Sequence, residues 1–341
     1  MKKIRVEDAV GHMLPHDFTK IVRGVSKGVA FKKGHIVTEA DIPELLSIGK
    51  EHIYVLELDD EHLHENDAAE VLASVCENEY MERTEIKEGK IELTATCDGF
   101  FQVDVDKLAE INYQDEIMIA TRMGNLPVKK GDKLAGMRVI PLVIEKKKLD
   151  KVKEIAGDEP IFKITPFKKL KGAVVTTGSE VYHGRIKDTF TPVIKGKFDQ
   201  YDIDFINHET CDDEIEDIKN AILNSKAKGA EIIICTGGMS VDPDDLTPAA
   251  IKASGAKIIS YGSPVLPGAM LLIGYFEDGT VVFGVPGCAM YAAVTVFDIV
   301  LPYAVAGIEI SKRHLSKLGY GGLCLGCKVC HYLNCQFGKG V

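Results

Sequence analysis

Two stretches decide the fold: AVVTTGSEVYHGRIKDTF, residues 173–190, and EIIICTGGMSVDPDDLTPAAI, residues 231–251. Each runs from an apolar, β-branched strand into a turn of small residues and then into acids. A strand ending in Thr-Thr-Gly or Thr-Gly-Gly leaves backbone N–H groups unblocked by side chains. A helix start that follows adds partial positive charge, so an anion such as phosphate is favoured there. Acids beside an anion site make sense when a divalent cation sits between them.

Working outward, apolar strands at 173–176, 231–235, 257–260 and 281–285 alternate with helical stretches at about 212–228, 247–254 and 288–305. This alternation predicts an α/β fold built on a doubly wound, mostly parallel sheet with right-handed crossovers. Ligands of such sheets bind beyond the carboxyl ends of the strands, where both turns fall. Residues 166–310 make up this domain, and smaller α+β domains precede it. In residues 1–75, Thr38 followed by Asp41 predicts a capping box for a helix reaching Ser47. Gly49 suits the end of that helix, and His52–Leu58 reads as a strand. Residues 76–165 are rich in Lys and Glu, strand-like over 90–104 and 132–144, and carry no chemistry-bearing constellation. The run Lys146–Lys148 there reads as a solvated face. Residues 311–341 form a Gly- and Cys-rich tail.

Bulk properties exclude several classes. The 341 residues suffice for two or three domains, and 45% hydrophobic with 27% charged residues is ordinary for a globular protein. A net charge of −10 argues against broad nucleic-acid binding, and no basic tract suggests an anionic membrane. No apolar run approaches the ~20 residues of a transmembrane helix. The start MKKIRVEDAV lacks the apolar core of a signal peptide, so a cytoplasmic location is expected. In a reducing compartment, clustered cysteines more often bind metal than pair as disulfides.

Each turn has two readings. Thr176-Thr177-Gly178-Ser179-Glu180 is a set of phosphate or pterin contacts, or a plain strand-to-helix turn with an N-cap Ser. Asp188, in IKDT, is a metal or ligand contact or a helix-entry acid. Thr236-Gly237-Gly238-Met239-Ser240 lets a ligand approach the backbone closely. Asp242, Asp244 and Asp245 after it repel one another unless a cation or donors compensate; otherwise the segment is a solvated loop. Pro248 marks a helix start. Gly284-Val285-Pro286-Gly287 is a third turn at the same edge, or an ordinary connection.

Taken together, TTGSE, IKDTF, CTGGMSVDPDD and GVPGCA, in this order over about 135 residues, resemble the molybdopterin-binding domain of the molybdenum cofactor biosynthesis proteins. KKGHIVTEADIPELLSIGKEHIYV, within residues 29–55, is similar to the N-terminal segment of the molybdopterin molybdotransferases. The resemblance implies that Thr176, Thr177, Gly178, Ser179, Thr236, Gly237, Gly238, Ser240, Pro286 and Gly287 hold the pterin and its phosphate. It also implies that Glu180, Asp188 and Asp245 are the catalytic acids, and that Asp188 and Asp245 bind Mg²⁺. Molybdopterin or its adenylylated form and molybdate are the implied substrates, in a homo-oligomer working with other cofactor-assembly proteins. The departures are Phe190 for Asn, Cys288-Ala289 for Asn-Pro, and Leu266-Pro267-Gly268-Ala269-Met270 for Lys-Pro-Gly-Lys-Pro. Losing two lysines removes charge that could hold an oxyanion. Three readings follow: a molybdotransferase, an adenylyltransferase, or a non-catalytic pterin carrier or redox-sensing delivery protein.

The tail carries Cys324-x2-Cys327-x2-Cys330-x4-Cys335, with His331 between. Four thiols within twelve residues can close around one centre, an iron–sulfur cluster or zinc, and three at x2 spacing lean toward the cluster. Cys76, Cys97, Cys211 and Cys235 are scattered and read as core or surface thiols.

Overall fold

A computed structural model describes residues 2–339 except 23–25, 56–60, 241 and 244. The chain divides into two compact units, residues 1–124 with 128–164, and residues 125–127 with 165–341.

In the first unit, Lys2–Arg5 pairs antiparallel with His52–Val55, and Val6, Leu14, Leu45 and Ile53 help close a small core. The expected capping box is formed. Asp41 accepts from both the backbone N–H and the hydroxyl of Thr38 at 2.8 Å, opening a 3₁₀ turn that runs into the helix Ile42–Ser47. The strand expected over His52–Leu58 is present to Val55, and its last three residues lie outside the described residues. Farther along, Met81–Arg83, Lys90–Ala95, Lys133–Val139 and Ile117–Thr121 form an antiparallel sheet in that order. Helices Glu65–Cys76 and Lys146–Ala156 pack on it, so Ile91, Leu93 and Ala95 point inward at a period of two. The Lys146–Lys148 run opens the second of these helices. Leu149, Val152 and Ala156 turn to the core, while Lys148 pairs with Glu116 at 2.7 Å.

The second unit is built on a six-stranded sheet of β1 (Lys171–Thr177), β2 (Asp204–Cys211), β3 (Ile232–Thr236), β4 (Lys257–Tyr261), β5 (Leu272–Tyr275) and β6 (Val281–Val285) among the described residues. Their order is β2-β1-β3-β6-β5-β4, with the first four mutually parallel and β5 antiparallel to both neighbours. Its helices are α1 (Ser179–Tyr182), α2 (Phe190–Asp199), α3 (Ile215–Ala227), α4 (Thr247–Ala253), α5 (Val296–Ala306) and α6 (Lys312–Lys317). β3 and β6 are buried along their whole length because helices cover both faces, which is why they read as unbroken apolar runs. On one face, Ile218 and Ile222 of α3 and Ala250 and Ile251 of α4 pack on Ala173, Val175, Ile233 and Val282. On the other, Phe297 of α5 meets Phe283 edge-on at 5.4 Å. Phe198 of α2 lies over Gly172, so close that a β-carbon there would come within 2.3 Å of its ring.

α5 is buried at every residue but Asp298, as its all-round apolar sequence requires. Asp298 completes a capping box with Thr295 and forms a buried ion pair with Lys197 of α2. Pro248 stands at the start of α4, as expected.

Four features differ from the sequence expectation. The 257–260 strand runs in the direction of the parallel strands, but it pairs with the reversed β5 and so joins the sheet through an antiparallel ladder, without a crossover helix between them. β2 was not foreseen: it is a partly exposed edge strand, DFINHETC, with no apolar run. β5 is only four residues long. The 288–305 helix is broken into a 3₁₀ turn, Gly287–Met290, and α5. Among the described residues, no helix is long and apolar enough to cross a membrane.

Candidate functional site at the carboxyl edge of the sheet

Strand register gathers the three turns. Thr176 at the end of β1 pairs with Thr236 at the end of β3, and Thr236 with Val285 at the end of β6. The segments 177–180, 237–240 and 286–287 therefore leave the sheet along one edge. Antiparallel pairing brings the 262–271 loop there too, since Tyr261 lies opposite Leu272 and Leu272 opposite Gly284.

The second turn is locked by backbone packing. Gly237 and Gly238 sit at φ +90° and +55°, where a side chain is strained. A β-carbon on Gly237 would lie 2.3 Å from the Thr177 carbonyl oxygen, and one on Gly238 would lie 2.8 Å from Thr247 Oγ1. The Thr247 hydroxyl donates to the Gly237 carbonyl at 2.9 Å and lies 3.2 Å from Thr177 Oγ1. Met239 is buried against Gly284 of β6. The Tyr261 hydroxyl, reaching over from β4, donates to the carbonyls of Met239 and Ser240 at 3.1 Å. Burial, and then the charge of Asp245, push the Tyr261 hydroxyl pKa above its ordinary value. Asp245 accepts the Asp242 N–H at 3.1 Å, closing the acidic loop on itself. Asp244, the third acid of this loop, lies outside the described residues.

The first turn is held by side chains instead. Ser179 does not cap α1. Its hydroxyl donates to Asp212 and its N–H to Asp213 Oδ2 at 2.8 Å. His183 approaches the same Asp212 at 3.4 Å. The Ser179 hydrogen bond, above all, holds the Asp212 carboxyl below the usual range. Glu180 is exposed on α1.

Asp188 takes the helix-entry role. Its Oδ1 accepts the N–H groups of Phe190 and Thr191 at 2.8 and 3.1 Å, so it caps α2. Its Oδ2 accepts from the hydroxyls of Thr191 at 2.5 Å and Thr176 at 3.2 Å, and His208 Nε2 is 3.2 Å away. Burial opposes ionisation of this carboxyl, but the donors outweigh it and its pKa lies below the ordinary value. Beside it, the Thr189 hydroxyl reaches Met290 Sδ at 3.1 Å, joining this element to the 3₁₀ turn that follows Pro286.

The structure thus brings Thr176, Thr177, Gly178, Ser179, Thr236, Gly237, Gly238, Ser240, Pro286 and Gly287 to one edge, with Asp188 and Asp245 on the flanking segments. Sequence reasoning missed Asp212, Asp213, His208 and Tyr261. The two acids looked like helix-entry residues of 212–228, and β2, which carries His208, gave no strand signal. Cys76, in the core of the first unit, and Cys211, in that of the second, are thiols pushed up to about 12 by burial, and Cys235 is buried in the second core. In the tail, Cys324, Cys327 and Cys330 are exposed and Cys335 half-buried. Among the described residues, no three Cys, His, Asp or Glu side chains are gathered closely enough to hold a metal ion.

Residues 173–306 match the family model described as "Probable molybdopterin binding domain", and residues 3–57 match a domain of unknown function. A molybdopterin molybdenumtransferase of Staphylococcus epidermidis is 29% identical over 154 residues, covering 42% of this chain and 35% of the relative. The chain therefore spans about a third of that protein's length. A CinA-like protein of Pseudothermotoga lettingae is 34% identical over 82 residues, covering 24% of this chain and 20% of the relative. Among solved structures, the tungsten cofactor synthesizing protein MoaB from Pyrococcus furiosus aligns with 36% of this chain and 86% of its own, at 20% identity and TM-score 0.32. CinA from Thermoplasma acidophilum aligns with 40% and 99%, at 15% identity and TM-score 0.35.

Proposed function

We propose, from the premise that residues 173–306 are a molybdopterin-binding domain of the molybdenum cofactor biosynthesis family, that this protein is a molybdotransferase-like enzyme. It would take adenylylated molybdopterin and molybdate as substrates. One observation carries the reading: three turns emerge in register at one sheet edge, and Gly237 and Gly238 leave no room for a side chain between β1 and the turn. Glycine turns at such an edge let a phosphate approach backbone N–H groups closely. Glu180, Asp188 and Asp245 supply the acids.

Hard carboxylate oxygens suit Mg²⁺, which commonly binds through one or two carboxylates together with substrate phosphates. Asp245 fits this role, because among the described residues its carboxylate accepts only the Asp242 N–H. Asp188 fits on one condition, that the hydroxyls of Thr176 and Thr191 turn away from Oδ2. A bound Mg²⁺ would neutralise phosphate charge and polarise the reacting oxygens. The chain's own share is to orient: the glycine turn fixes the phosphate, and Asp188 anchors the start of α2 beside it.

The test is turnover of adenylylated molybdopterin with molybdate and Mg²⁺. Asp245→Ala is expected to abolish metal-dependent turnover while changing stability by no more than about 0.5 kcal/mol, as for a surface substitution. Undiminished turnover in that variant would sink the assignment. A second reading, a pterin carrier, is favoured by the 266–270 loop. Where the family resemblance has two lysines, this chain has Leu266 and Ala269, and the Leu266 backbone is engaged by the tail. A protein that binds molybdopterin yet never consumes the adenylylated form would establish the carrier.

A further inference from the structure

The cysteine segment is pinned at both ends. Leu266 N–H donates to the Gly322 carbonyl and Cys324 N–H to the Leu266 carbonyl, both at 2.8 Å, so the tail joins the 262–271 loop as a short parallel bridge. Its far end is tied back where Gly338 N–H donates to the Gly321 carbonyl at 3.0 Å, and Phe337 beside it is buried. Between these anchors, residues 324–336 contain neither helix nor strand. Cys324, Cys327, Cys330 and Cys335 are free thiols that all line one cavity of about 310 Å³, walled also by Pro267 and Val294. No three of them are gathered to hold a metal ion, which corrects the expectation of an iron–sulfur or zinc centre in the tail. A bond between two sulfurs needs only a pair.

The backbone singles out one pair. The chain bends at Lys328 and Val329, the two residues that separate Cys327 from Cys330. Residues 325 and 326, which separate Cys324 from Cys327, form no turn or bend. Cys327 and Cys330 are both exposed, whereas Cys335 is half-buried. Elsewhere burial pushes thiols up, Cys76 and Cys211 to about 12 and Cys97 and Cys288 in the same direction, which keeps them in the unreactive protonated form.

We propose that Cys327 and Cys330 are a redox-active dithiol that closes reversibly to a disulfide on the wall of this cavity. Two intervening residues are the spacing of dithiol–disulfide redox motifs, and a bend draws the two Cα atoms toward the roughly 4.4–6.8 Å that a disulfide spans. The oxidant is a low-molecular-weight disulfide. The thiolate of one cysteine attacks a sulfur of that disulfide, forming a mixed disulfide and releasing one small thiolate. The thiolate of the other cysteine then attacks the protein sulfur of the mixed bond and expels the second small thiolate. Two cysteine thiols are oxidised, the small disulfide is reduced, and it leaves as two thiols that carry the two cysteine protons. Because both ends of the segment are pinned, closure acts on its immediate neighbours, the cavity and, through the bridge at Leu266, the 262–271 loop. The inference does not depend on which ligand the candidate site binds.

The experiment equilibrates the full chain with oxidised or reduced glutathione, blocks the remaining thiols with iodoacetamide and maps the bonds by mass spectrometry after trypsin. Cleavage after Lys328 leaves Cys324 and Cys327 in one peptide and Cys330 and Cys335 in the next, so a bond between Cys327 and Cys330 links the two. The expected result is linked peptides after oxidised glutathione, with fragmentation placing the bond at Cys327 and Cys330, and separate peptides after reduced glutathione. The Cys324→Ser/Cys335→Ser variant keeps the link, and Cys327→Ser and Cys330→Ser each lose it, with circular dichroism reporting that each variant is folded. The wild-type map decides the matter without any variant. Four blocked thiols after oxidised glutathione, mixed disulfides with glutathione only, a bond placed at another pair, or a link that reduced glutathione does not release overturns the proposal.

Discussion

The turns at 176–180 and 236–240 look alike in sequence but are held by different forces. The first is positioned by carboxylates: Asp212 and Asp213 grip Ser179, and Asp188 grips Thr176, Thr191 and the start of α2. The second is positioned by contact between backbones, with Gly237 against Thr177 and Met239 against Gly284. One turn is therefore sensitive to charge and pH, the other to added volume. A small-residue turn alone does not disclose which applies.

The sharpest way to break the second turn is Gly237→Ala. The new methyl would meet backbone at 2.3 Å and sit at φ +90°, so a loss of about 3 kcal/mol is expected in denaturant unfolding. Unchanged stability would mean that the turn is not packed as described. Next is Asp188→Ala, which removes the α2 cap and should cost about 1–2 kcal/mol. The Asp188 pKa is depressed in the folded state, so its contribution is present above the unfolded value of ~4 and is lost as pH falls through the lowered folded value. The stability gap between wild type and variant should accordingly be full at neutral pH and close in acid; a gap independent of pH would contradict a charge-held first turn. The smallest effect is expected from Tyr261→Phe, which deletes one hydroxyl shared between two carbonyls and should cost about 1 kcal/mol. That variant separates the tie from β4 from the glycine packing beneath it.

Legibility followed burial. The strands at 173–176 and 281–285 were readable because both faces are covered, which forces a continuous β-branched run. β2 was not, because an edge strand half in solvent tolerates DFINHETC. Its loss hid His208 and made Asp212 and Asp213 look like the start of a helix. Among the site residues, the glycines and Asp188 were readable from their neighbours along the chain. Tyr261 was not, since it reaches the second turn from a strand more than twenty residues downstream.

By itself the sequence determined the α/β class, the three turns, the cap at Thr38 and the presence of four clustered thiols, because each depends on residues near one another in the chain. Only the tertiary structure decided that the turns align at one edge, that Ser179 answers to Asp212 rather than to its own helix, and that the cysteines share a cavity on the 262–271 loop. Those facts depend on strand register and on side chains meeting across long separations, which local periodicity does not encode.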